Sequence, residues 1–333
     1  SNLYNNGELL EVIEQAGILA KKYPNSSSIW NILGAAAAQT GRLNEAISAF
    51  EKVVSIQPNH ADGHYNLGVA LKNQGKLEEC IKAYNKALSL NPNNAVVLNN
   101  KGIALADYGQ IENAVETYKK ALVIEPGNVD AHNNLGNALK KQGLLEEAIQ
   151  VYSKAISLDP DNAVIHNNIG VSFQDSGQAV KAIEAYGKAL ILKPDYTEAF
   201  VNMGNILKDQ GELEKSIAAF KNALHTDPDY PEAYNGIAVT LHEQGKVDEA
   251  IECYKKAIVV KPDFAEAYMN MSISLQKNGQ LDKALEACKM ALTIKPKYPE
   301  AFNTIGNILK EQGKLNEATD SYDSAIALNA KYI

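Results

Sequence analysis

A chain of 333 residues with 45% hydrophobic and 22% charged residues has the composition of a folded protein in water, not of a disordered or membrane-embedded one. Its formal charge is −8, Arg42 is its only arginine and it has no basic cluster, which excludes a phosphate-neutralising surface and so nucleic acid as a partner. No apolar run reaches the roughly eighteen residues that would span a membrane, and the start, Ser1 to Asn6, lacks the basic and apolar regions of a signal peptide. Cys80, Cys253 and Cys288 are too scattered for a disulfide framework or a zinc site, so the expectation is a reducing, cytoplasmic setting with no metal and no cofactor.

In chain order, the first predicted element is a lone helix over about Glu8 to Tyr23, closed by Pro24. From Pro24 the chain repeats: Pro58, Pro92, Pro126, Pro160, Pro194, Pro228, Pro262 and Pro296 follow, each 34 residues after the last. Glycines from Gly7 through Gly41, Gly143 and on to Gly313 keep the same period, 17 residues ahead of each proline and, at the end, of Ala330. Two independent helix breakers in one register divide each period into two helix-length segments, so the unit is a helical hairpin and the array a solenoid. Glycine supplies the left-handed residue that ends the first helix; proline, with no amide donor, ends the second. The Asn or Asp after the proline, as at Asn59, Asn93, Asp161, Asp195, Asp229 and Asp263, is expected to cap the next helix.

Apolar spacing places both helices. His132, Leu135, Gly136 and Leu139 recur at i, i+3, i+4 and i+7, and Ala148, Tyr152, Ala155 and Ile156 at i, i+4, i+7 and i+8, one face in each case. Nine units are predicted to start at Ser27, Ala61, Ala95, Val129, Ala163, Thr197, Pro231, Ala265 and Pro299, after a partial repeat over 1–26. Trp30, Leu33, Gly34, Ala46, Phe50 and Pro58 resemble the tetratricopeptide-repeat (TPR) signature, with Ala37 in place of its tyrosine. The resemblance covers residues 3 to 333 and implies an all-α fold, a right-handed alpha-alpha superhelix forming one array over 1–333. Local departures are Lys101 at an apolar site, Ala238 and Ser272 for the packing glycine, and Cys288 for the aromatic.

A residue two beyond the aromatic site of the first helix lies about 200° around it and points away from the hairpin contact. Across the units that position reads Ile32, Asn66, Asn100, Asn134, Asn168, Asn202, Gly236, Asn270 and Thr304; three residues on, the same stripe holds Asn137, Asn205 and Asn307. Asn31, Asn99, Asn133, Asn167, Asn235 and Asn303 stand one residue before it. Asparagine inside a helix costs about half a kcal/mol relative to alanine, so a recurring row calls for a compensating gain. A primary amide matches a peptide group donor for acceptor, and a row of them can bracket an extended backbone whatever its side chains. The row is similar to the asparagine ladder in the TPR arm of O-linked N-acetylglucosamine transferases. That resemblance implies a concave groove for a polypeptide, or the substrate-recognition arm of a transferase whose catalytic domain lies outside this chain. The competing reading is a solvated stripe copied by repeat duplication.

The later units carry Tyr196, Tyr230, Phe264, Tyr298 and Tyr332 where earlier ones have His60, Asn94, Asn128 and Asn162, which sets a seam near Pro194. They also carry Glu198, Glu232, Glu266 and Glu300, readable as an acidic band for basic partners or as first-turn acids that complement helix dipoles. The inner stripe lacks the lysines and arginine of a carboxylate clamp, His64, His132 and His166 fall at the aromatic packing site, and no nucleophile or phosphate-loop motif occurs. The expectation is a non-enzymatic binding scaffold for a protein or peptide. An alternative is an assembly platform that self-associates through its convex face, or through end faces left open by Leu3 at one end and the unit near Tyr332 at the other.

Overall fold

The computed structural model describes residues 9–329, so Leu3, Gly7, Glu8, Ala330 and Tyr332 lie outside the described residues. The chain forms two compact units, Ser1–Asp161 and Asn162–Ile333. That division falls one repeat ahead of the compositional seam at Pro194. Among the described residues there are nineteen α-helices and no strand. In the first unit α1 (Leu9–Lys22) precedes four hairpins: α2 (Ser27–Gln39) with α3 (Leu43–Ile56), α4 (Ala61–Asn73) with α5 (Leu77–Leu90), α6 (Ala95–Asp107) with α7 (Ile111–Ile124), and α8 (Val129–Lys141) with α9 (Leu145–Leu158). The second unit holds five: α10 (Ala163–Asp175) with α11 (Ala179–Leu192), α12 (Thr197–Asp209) with α13 (Leu213–Thr226), α14 (Pro231–Glu243) with α15 (Val247–Val260), α16 (Ala265–Lys277) with α17 (Leu281–Ile294), and α18 (Pro299–Glu311) with α19 (Leu315–Leu328). No helix among the described residues is long and apolar enough to cross a membrane.

The hairpin turn follows from its glycine. Gly143 adopts φ +77°, its amide donates to Lys140 O and the Leu144 amide to Leu139 O, the paired bonds that close a helix on a left-handed residue. First-helix starts are capped one residue later than expected. The side chains of His60, Asn94, Asn128 and Asn162, two after the proline, accept the amides of Gly63, Val97, Ala131 and Ile165. Extended backbone dihedrals at this second residue (φ −75°, ψ 99° at Asn128) turn its side chain onto the helix amides, whereas the residue beside the proline is still in the turn.

Within a hairpin the helices approach glycine to ring. A methyl group on Gly136 would sit 2.6 Å from the Tyr152 ring, and one on Gly170 2.7 Å from that of Tyr186; both rings are fully buried. Ala148 and Ala182, one turn before those rings on the second helices, are fully buried. Trp30 Nε1 donates to Pro24 O at 2.9 Å, and the Nε2 atoms of His64 and His132 make the same 2.9 Å bond to Pro58 O and Pro126 O. Imidazole thus replaces indole as a strap on the preceding loop, a structural role for these histidines.

Within each unit, each second helix packs on its own first helix and, where another hairpin follows in that unit, on the first helix of that hairpin. Consecutive first helices also touch one another, α2 to α4 to α6 to α8 in one unit and α10 to α12 to α14 to α16 to α18 in the other, while consecutive second helices make no comparable contact among the described residues. In each unit, therefore, the first helices form the closely spaced inner row.

Candidate functional site

The asparagine row lies on these first helices, and the structure gives it an internal role. Nδ2 of Asn66 donates to Asn31 Oδ1 at 3.2 Å, that of Asn100 to Tyr65 Oη at 3.0 Å, and that of Asn134 to Asn99 Oδ1 at 3.1 Å. In the second unit Asn202 donates to Asn167 Oδ1 at 3.0 Å and Asn270 to Asn235 Oδ1 at 3.2 Å. Each bond crosses from one unit of the repeat to the residue 35 earlier. The compensating gain for helical asparagine is thus found within the protein, at about 0.5–1.5 kcal/mol per bond. Asn168 is half-buried like the others.

The row at the following turn is held from the second helix. Tyr152 Oη donates to Asn137 Oδ1 at 2.6 Å and Tyr322 Oη to Asn307 Oδ1 at 2.9 Å. Asn205 faces a hairpin whose ring is Phe220, which has no hydroxyl to offer. The residues that the candidate set lacked are the acceptors Asn31, Tyr65, Asn99, Asn167 and Asn235. For the four asparagines the signal was present in the sequence as asparagine recurring one position before the inner stripe.

A carboxamide has two N–H groups and two acceptor lone pairs. The cross-repeat bond takes one N–H and fixes the plane of the group. What remains is an oriented N–H and carbonyl on a half-buried side chain, presented by Asn66, Asn100 and Asn134 in the first unit and by Asn202 and Asn270 in the second.

Glu198, Glu232, Glu266 and Glu300 all lie in the first turn of their helices, and none of these four helices has a side-chain cap. They supply negative charge to amides that Asn94 or Asn128 serves elsewhere. The aromatics that displaced those caps pack with the preceding loop: Lys193 lies 4.8 Å from the Tyr196 ring centre, Lys261 4.9 Å from that of Phe264 and Lys295 4.2 Å from that of Tyr298.

Four candidates converge. Asn205, Glu232, Glu266 and Asn270 line one cavity of about 410 Å³ in the second unit, walled by Val201, Val239 and Phe264. Asn235, buried at 7% exposure, donates to Glu266 Oε1 at 3.3 Å there. The cavity opens where the asparagine stripe is interrupted by Gly236. Glu198 and Glu300 do not reach it.

Stacked helical hairpins of 34 residues, joined glycine to ring, define a tetratricopeptide-repeat solenoid, a scaffold type rather than a catalytic one and generally a platform for protein–protein interaction. The chain belongs to the family described as the cilia and flagella-associated protein 70 C-terminal domain, whose model matches residues 128–331. Tetratricopeptide-repeat models match residues 61–94 and 83–116, and a further TPR-repeat model residues 34–75 and 104–143. No curated protein matches the chain in sequence. Among solved structures, a chain of the APC/C hetero-tetramer Cut9-Hcn1 is similar with 16% identity and a TM-score of 0.61, over 86% of this chain and 56% of that one. A tetratricopeptide-repeat protein from Parabacteroides merdae is similar with 23% identity and a TM-score of 0.59, over 71% of this chain and 93% of that one. The chain thus spans little more than half of the Cut9-Hcn1 chain, and at these identities the likeness is one of fold alone.

Proposed function

We propose that this chain is a scaffold that binds an extended polypeptide segment along its inner row of first helices, with asparagine side chains bracketing the segment's backbone. The proline period runs without interruption from Pro24 to Pro296, which supports reading the sequence as one repeat array. The observation that carries the binding reading is the cross-repeat bond, as from Asn134 to Asn99. By fixing each amide before a ligand arrives, it lowers the ordering cost of binding, and a peptide group meets a donor and an acceptor already in place.

The test is the affinity of the whole chain for peptides selected from a displayed random library, compared with a variant carrying Asn66→Ala, Asn100→Ala and Asn134→Ala. The variant also loses three internal bonds, so binding is measured well below its unfolding temperature, with helicity followed by circular dichroism. Affinity is expected to fall about tenfold or more while the helices remain, roughly what one or two lost peptide hydrogen bonds produce. Unchanged affinity would remove the asparagines from recognition and leave them as inter-repeat staples.

A further inference from the structure

The cavity beside Gly236 sits at the one place in the second unit's first-helix row where an asparagine of the stripe gives way to glycine with asparagines on both sides, Asn202 and Asn270. Elsewhere the stripe offers amides to a backbone; here it offers depth. The ring of Phe220, on the second helix of the preceding hairpin, packs against Gly236, so a methyl group there would meet it, and Gly236 also lines the cavity.

Its walls and rim differ in chemistry. Val201, Val239 and the Phe264 ring give an apolar slot, and Glu232 and Glu266 place two carboxylates at its rim beside the amides of Asn205 and Asn270. Lys208, the lining cation, is engaged elsewhere, with Nζ 2.9 Å from Asp209 Oδ1. An apolar slot ending in carboxylates fits a side chain with an aliphatic stem and a cationic head. The protein supplies an intramolecular precedent, because Lys261 reaches over the Phe264 ring at 4.9 Å while its Nζ lies 3.5 Å from Glu232 Oε1.

We infer that this cavity receives one lysine or arginine side chain of the bound segment and thereby sets the segment's register on the asparagine row. The inference rests on the peptide-binding reading above and adds a side-chain preference to it. An amide row alone binds any backbone in any register; one pocket with a charge preference turns it into a site with an origin. Glu232 and Glu266 thus serve both as first-turn acids of their own helices and as the pocket's anionic rim.

The experiment measures fluorescence anisotropy of short labelled alanine-serine peptides with one central lysine, arginine, norleucine or glutamate, against the whole chain at low salt. Norleucine keeps the aliphatic stem and removes the charge. The lysine and arginine peptides are expected to bind about tenfold more tightly than the norleucine peptide, the scale of one charge-assisted hydrogen bond, and raising the salt should shrink that ratio. In E232Q/E266Q the ratio should fall to near unity, while the norleucine peptide keeps its affinity. Glu147→Gln, on a second helix in the first unit, should leave the ratio intact, which separates the local pocket from net charge. Equal binding of the lysine and norleucine peptides, or a preference that survives E232Q/E266Q, overturns the pocket but leaves backbone recognition standing. If none of the peptides binds, both readings fall.

Discussion

Seven of the nine hairpins pair a first-helix glycine with a second-helix ring; in the hairpin α16–α17 the pair is Ser272 with Cys288, both fully buried, with Sγ 3.1 Å from Ser272 Oγ. The serine hydroxyl also donates to Met269 O at 2.7 Å. Volume has moved across the interface, smaller on one helix and larger on the other, so the two positions are expected to be coupled. Cys288→Tyr alone drives a ring against the serine. In the hairpins that have the ring, an added Cβ would lie only 2.6 Å from it at Gly136 and 2.8 Å at Gly204. The overpacking cost is about 1–3 kcal/mol. Ala238 beside Tyr254, both buried, shows that a lone methyl group is accommodated in one hairpin, but serine adds a bonded hydroxyl as well. Ser272→Gly alone costs about 1 kcal/mol from helix propensity and the small void it leaves. Together they restore the glycine–ring pair of the other hairpins. The double variant is expected within about 1 kcal/mol of the parent protein, a favourable coupling of about 2 kcal/mol. Repeat arrays unfold by neighbouring units, so the readout is native-state hydrogen exchange of the amides in Ala265–Ile294, alongside the urea midpoint. Losses that add within about 0.5 kcal/mol would refute the argument that shape complementarity across this pair sets the hairpin's packing.

Two further outcomes follow from buried titratable groups. Burial pushes the Cys80 and Cys288 thiols up to about 11, and burial likewise raises the hydroxyls of Tyr84, Tyr118, Tyr152, Tyr186 and Tyr254. An acid with a raised folded-state pKa keeps its proton after the unfolded chain has lost it, so its stabilisation is complete below pH 9 and is lost as pH rises from there towards 11. Each such thiol contributes a slope of about 1.4 kcal/mol per pH unit in that window. Melting temperatures are expected to drop between pH 9 and 11, and Cys80→Ala, which installs the residue found at this site in seven other units, should reduce the drop; an unchanged alkaline slope would contradict this. Lys101 is half-buried at a position that is apolar in the other eight units, and burial, reinforced by Lys120, holds its ammonium below the usual lysine range. Lys101→Leu should raise the urea midpoint, by about 1 kcal/mol of stability, and a lower midpoint would show that this crevice needs the charge.

The hairpins were legible because their punctuation is local. Gly143 at φ +77° and Pro160 act through backbone sterics that need no tertiary partner, and the Gly136–Tyr152 spacing follows from helical periodicity. The cap was misplaced by one residue because Asn59 and His60 both carry a side-chain acceptor for a helix-start amide, and only the extended dihedrals of His60 bring its ring to the Gly63 amide. The aromatic change after Pro194 was visible, and so was the reading of Glu198 and its equivalents as first-turn acids; what the sequence did not show is that the aromatics replace Asn94-type side-chain caps.

By itself, then, the sequence determined everything that depends on neighbours in the chain: the length of the unit, where its helices stop, which face of each is buried, and which asparagines share a stripe. Only the tertiary structure decided what those asparagines touch, since the acceptor of Asn134 is Asn99, 35 residues away, and hydrogen-bond partners at that distance depend on how the hairpins stack. Likewise Asn205, Glu232, Glu266 and Asn270 belong to three different hairpins, and they became one cavity through side-by-side packing of first helices that no single repeat encodes.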